Sequence, residues 1–137
     1  DCLLSRGLGD VYKRQGEAYS DAELEGVELV TAHMDLLGTT IFSGVNPPAL
    51  TDIVPSASPR PRGWSAALVM VDGLIAGVVD DDICDRFAAV PGIRQLLLRA
   101  VAYRRYVNTL HPQSKSTVRS SIERVEETLV SVASDRL

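Results

Sequence analysis

Val90 to Leu110 reads VPGIRQLLLRAVAYRRYVNTL, and the fold turns on how this stretch is organised. Pro91 and Gly92 break the chain, and after them Leu96, Ala100, Tyr103, Val107 and Leu110 recur at spacings of four, three, four and three residues. That spacing keeps one stripe of a helix apolar. Ile93, Leu97 and Val101 widen the stripe at its start, while Arg94, Arg99, Arg104 and Arg105 mostly lie away from it. A face this wide can dock two surfaces.

Beyond this helix, His111-Pro112 supplies a stop, because proline lacks an amide donor and biases the preceding residue away from helical dihedrals. A polar linker, Gln113 to Thr117, leads to a second amphipathic helix on which Val118, Ile122, Val125, Leu129 and Val132 repeat the same spacing. No partner for it is evident in the chain, and its natural partners are expected downstream.

Before the long helix, Asp80, Asp81 and Asp82 offer an N-cap and a negative first turn for a short helix over Ile83 to Val90. Ala66 to Val71 and Leu74 to Val79 are apolar runs of strand length separated by Asp72-Gly73, the strongest hairpin signal in the chain. One buried strand with a bulge at Gly73 is the alternative that Gly77 keeps open. Pro55 to Gly63 holds three prolines and reads as an exposed loop or extended connection. Leu36 to Phe42 is rich in β-branched residues, and Gly44, Asn46, Pro47 and Pro48 close it with turn chemistry. Val27, Leu29 and Thr31 alternate with Glu28, Val30 and Ala32 in a short strand pattern.

The first residues stand apart. Ser5 to Gln15, SRGLGDVYKRQ, resembles the conceptual translation of a transposase-type sequencing adapter. Residues 1–15 are accordingly read as an adapter-derived, disordered tail and set aside, as a fusion scar would be. The natural termini are then both open. Of 137 residues, 14 are basic and 18 acidic, for a net charge of −4. Without Asp1, Arg6, Asp10, Lys13 and Arg14 the balance is 11 to 16, or −5, which gives no general attraction for nucleic acid. Setting the tail aside also leaves Cys84 as the single cysteine, which rules out an internal disulfide framework and fits a reducing compartment. No apolar run approaches the ~18 to 20 residues of a membrane span and no signal peptide is visible, so a cytoplasmic location is expected.

Side chains that could carry chemistry are few. His33 and Asp35 would share one face of a strand, but a metal or acid/base site needs a third group that the sequence does not supply. Asp80 to Asp82 lack the oxygen-ligand spacing of a calcium loop, and helix capping accounts for them better. The four arginines of the long helix read as a solvated face, and Tyr103 and Tyr106 as core or interface aromatics. Acidic neighbours of Cys84 disfavour a thiolate. No catalytic residue, metal ligand or cofactor is therefore expected, and the chain is not read as an enzyme.

From Met70 to Leu137 the sequence resembles the Crp/Fnr family of bacterial transcription regulators. Val71-Asp72-Gly73, Val79 to Asp82, Pro91, Ile93-Arg94 and Leu96 to Arg99 with Val101 are similar to the end of that family's β-roll sensor and its dimerisation helix. Ile122-Glu123 through Asp135-Arg136-Leu137 resembles the opening helix of its DNA-binding domain. The resemblance implies an α+β chain: the C-terminal part of a cyclic-nucleotide-binding-like β-roll over 16–90, a dimerisation helix over 91–111, and over 112–137 a hinge and the first helix of a truncated winged helix-turn-helix domain. It departs where cyclic-nucleotide binders carry Gly-Glu and Arg-Ser or Arg-Thr pairs, since Gly38-Thr39 and Ala49-Leu50 stand at the best candidate positions. A single cysteine also cannot hold an iron-sulfur cluster.

The function implied is that of a fragment of a dimeric DNA-binding regulator with a degenerate β-roll and an unidentified effector, the seam of its homodimer formed by Leu96, Ala100, Tyr103, Val107 and Leu110 of the long helix. DNA binding belongs to the full-length protein and is not expected of this stretch, which stops before a recognition helix. The alternative is a sensor or adaptor domain that dimerises through Leu96 to Leu110 without DNA binding, with an enzyme fragment third.

Overall fold

The structure is a computed structural model that describes residues 18–134, with side chains as far as Ser131. The adapter-like tail over 1–15, the side chain of Val132, and Asp135-Arg136-Leu137 lie outside the described residues. The chain is mixed α+β. Among the described residues, four helices and two small antiparallel sheets follow a 3₁₀ turn at Ala22–Leu24.

Helix α1 (Trp64–Ala76) replaces the expected hairpin. A type I′ turn at Asp72-Gly73 needs positive φ at both residues, and positive φ occurs only at Gly26, Gly63, Gly77 and Gly92 among the described residues. Trp64, Ala67, Leu68, Met70, Val71, Gly73 and Leu74 are buried, whereas the less buried Ala66, Val69, Asp72 and Ile75 fall every third residue. That strip is too narrow, and too apolar, to mark a helix in the sequence. Gly77 is the helix stop, not a bulge: in the left-handed region at φ 69°, it lets Val78 N–H reach the Gly73 carbonyl at 3.0 Å.

The acidic run does precede a helix, but α2 (Ile83–Arg86) has only four residues and does not reach Val90. No side chain caps it. Asp82 accepts from Arg86 Nη2 at 2.8 Å instead. The long helix α3 (Ile93–Leu110) follows the Pro91-Gly92 break as its spacing predicts, and Gly92 adopts a left-handed conformation at its entrance.

Helix α4 (Ser116–Ser134) corrects a further expectation, because its apolar partners are in this chain. It folds back along α3, as Arg105 meets Glu126 while Ile93 and Leu97 lie near Leu129. Ile122, Val125, Leu129 and Val130 are buried in one core with Leu68 and Val71 of α1 and Leu96, Leu97, Leu98 and Val101 of α3. That core draws on residues from each of the three segments 16–90, 91–111 and 112–137. The bundle is therefore held by mutual burial, each large apolar side chain contributing roughly 1.5–3 kcal/mol.

The strand-rich part holds two small antiparallel sheets. β1 (Leu29–Val30) pairs with β4 (Arg60–Pro61), and the ladder continues irregularly through Ala32, His33 and Met34 against Ser56, Pro55 and Val54. The proline-rich connection is thus partly a strand. Inside this loop β2 (Thr40–Ser43) pairs with β3 (Asn46–Leu50), with an irregularity between Ile41 and Ser43. Pro47 and Pro48, expected to close the strand, lie within β3 and remove two ladder donors from it.

Candidate interaction surface

The seam residues divide into two groups. Leu96 and Ala100 are fully buried within the chain, beneath α1 and α4. They are not available to a second copy. Tyr103 is half-buried and meets the Trp64 ring edge-on at 6.4 Å. Only Val107 and Leu110, at the far end of α3, reach the surface, and Leu110 is 64% exposed.

That end is broader than the sequence stripe suggested. Tyr106 lies one turn before Leu110 and is equally exposed, and Val118 of α4, near Val107, is 40% exposed. Val107, Val118, Ile75 and Ile122 line a shallow groove of about 240 Å³, with Asp72, Arg104 and His111 at its edge. Spacing alone missed this convergence because Val118 and Ile75 come from other helices. The β2–β3 hairpin is a second apolar surface, with Ile41, Phe42, Val45 and Leu50 exposed.

The arginines of α3 are not a solvated row. Arg94 faces Glu23 at 3.9 Å, Arg99 pairs with Asp21 at 2.7 Å, Arg104 with Asp72, and Arg105 with Glu126 at 2.9 Å. Each joins α3 to another segment. Gln95, fully buried, does the same without charge: its Nε2 donates to the Ala18 carbonyl at 2.8 Å and its Oε1 accepts from Ser20 N–H at 2.9 Å. Nothing in the apolar pattern marks Gln95 for this role.

His33 and Asp35 do not converge on a common site. His33 Nδ1 accepts from Asp35 N–H at 3.2 Å, while Nε2 lies 3.2 Å from the Val54 N–H and 3.1 Å from the Asp52 carbonyl. The ring thereby fastens the base of the hairpin. Asp35 turns its carboxylate toward Arg104, 3.8 Å away. Among the described residues no three His, Cys, Asp or Glu side chains group as metal ligands would. Cys84 is half-buried, and burial, with Asp81 and Asp85 beside it, pushes its thiol pKa up. No described helix is long and apolar enough to cross a membrane.

Comparison of the chain with protein-family models, with curated proteins and with solved structures returns no match.

Proposed function

We propose that this chain is a sensor or adaptor module that pairs with a second copy through the outer end of α3. The observation that carries this reading is the exposure of Tyr106, Val107 and Leu110 on the last turns of α3, with Val118 of α4 in the groove beside Val107, where Leu96 and Ala100 of the same stripe are buried. Removing these side chains from water in pairs offers roughly 1.5–3 kcal/mol for each large one, set against an association cost of about 4 to 15 kcal/mol. A weak, concentration-dependent dimer is the expected balance. Sedimentation equilibrium tests it: a monomer–dimer equilibrium supports the reading, and a single monomer mass at every concentration contradicts it.

The second reading, a fragment of a Crp/Fnr-type regulator, rests on the order of long helix, His111-Pro112 break and amphipathic helix. It is the weaker of the two, because α4 lends its apolar face to the same core as α3 and because Val71-Asp72-Gly73 is helical where the resemblance implies a β-roll. Retardation of one DNA sequence over a scrambled control would favour it. A net charge of −4 on the chain gives the first reading no such binding to explain.

A further inference from the structure

A groove of about 400 Å³ opens between the Ala22–Leu24 turn and the start of α1, floored by Leu24, Leu29, Pro61 and Trp64 and rimmed by Arg60 and Arg99. Asp21 and Glu25 stand at its edge. The Arg60 guanidinium lies over the Trp64 indole, 5.3 Å from the ring centre, with no acidic partner among the described residues. All four arginines of α3, by contrast, have one. Three N–H groups on these lining residues also have no acceptor among the described residues: Nε of Arg60, Nε of Arg99 and Nε1 of Trp64, the last on a side chain that is 5% exposed. Donors shut off from water without acceptors call for a specific explanation.

We propose that this groove binds an apolar monocarboxylate, its carboxylate taken by Arg60 and Arg99 and its hydrocarbon laid on Leu24, Leu29 and Pro61. A guanidinium fork matches a carboxylate through two parallel bonds, and the apolar floor favours an organic acid over a bare inorganic anion. The volume falls in the range of small-molecule sites. Arg99 is held by Asp21, whose side chain is 91% exposed, so a ligand carboxylate displaces a loosely kept partner. Arg60 leaves the face of the indole as it turns to the ligand, which alters the surroundings of the only tryptophan in the chain. These side chains are separate from the Tyr106–Leu110 corner, so dimerisation and ligand binding stand or fall independently.

Octanoate titrated against the full chain, followed by Trp64 fluorescence and by calorimetry, tests the assignment. Saturable binding is expected, with octanol failing to reproduce it and Arg60→Gln and Arg99→Gln each weakening it roughly tenfold or more. Arg60→Lys, which keeps the charge and loses the fork, should fall between wild type and Arg60→Gln. Asp21→Asn should tighten binding several-fold, as it removes both a competitor for Arg99 and a repulsive charge. If an arginine variant melts early, Asp21→Asn decides, since that side chain is exposed. No saturation below about 10 mM, octanol binding as well as octanoate, inorganic phosphate competing as effectively, or Asp21→Asn leaving affinity unchanged would each overturn the proposal.

Discussion

Arg104 near the end of α3 grips Asp72 in the middle of α1 through two parallel bonds, Nε to Oδ1 at 2.6 Å and Nη2 to Oδ2 at 2.5 Å. Both side chains are largely buried, and the same guanidinium reaches the Met34 carbonyl at 3.4 Å. Burial works against its charge, but the bonds and the charge of Asp72 outweigh that, so the Arg104 pKa is raised. One side chain thus ties two helices to the base of the strand region. Asp72→Ala should cost about 2 to 3 kcal/mol in urea unfolding, because it strands a poorly solvated cation. Adding Arg104→Met to Asp72→Ala should cost at least about 1 kcal/mol less than the sum of the two single changes. Simple additivity would show that the pair is not coupled.

Glu126 sets a pH dependence of known sign. Its Oε2 accepts from Arg105 Nη1 at 2.9 Å, but Oε1 is buried without a partner among the described residues. Burial raises its pKa, and Arg105 only partly counters this. The folded state therefore holds the proton to higher pH than the unfolded chain does, and this group's contribution to stability falls as pH rises through that interval. Glu126→Gln should match wild type in acid and gain on it as pH rises from the ordinary glutamate range near ~4.3 toward neutrality. A stability difference that is flat with pH, or that grows toward acid, would contradict the assignment.

Gly92 is required by both conformation and space. At φ +67° a Cβ there would lie 2.5 Å from Leu24 Cδ2 and 2.9 Å from the Glu23 carbonyl oxygen. Gly92→Ala should lose about 2 to 3 kcal/mol from strain and displaced backbone together. Gly26, at φ +75° with nothing within 4 Å, is the control, and Gly26→Ala should cost only about 1 to 2 kcal/mol. Equal losses would mean that the close approach of Glu23 to Gly92 contributes nothing.

How much of this was legible in the sequence depends on how each element is buried. α3 and α4 each present one apolar face, and their period reads directly from Leu96 to Leu110 and from Val118 to Leu129. α1 is buried nearly all round, so it has no period to read, and Asp72-Gly73 then imitates a hairpin. The one usable local signal was Gly77 at the end of the mostly apolar stretch Trp64 to Ala76. The candidate surface was half legible: Val107 and Leu110 were marked by spacing, but Leu96 and Ala100 bear the same mark and face inward. Which half of a stripe is covered depends on α1 and α4, which are distant in sequence. Pairings such as Arg104 with Asp72 or Arg60 over Trp64 depend on the assembled fold in the same way.

The β2–β3 hairpin should be energetically separate from the helical core. Phe42 and Val45 are exposed, and a two-stranded hairpin contributes little stability by itself. Val45→Asp should change the unfolding free energy by no more than about 0.5 kcal/mol. A larger loss would place the hairpin tip in a contact that the described residues do not show.

The pairing of two copies through the outer end of α3 is tested most directly by light scattering across a concentration series of wild type and Leu110→Asp, with thermal melting of each. Leu96→Asp is unsuitable, because a charge at that buried site should unfold the chain before it separates copies. The account predicts that wild type gains mass with concentration while Leu110→Asp stays monomeric and melts at the same temperature. Wild type remaining a monomer throughout, or Leu110→Asp gaining mass as wild type does, would contradict it.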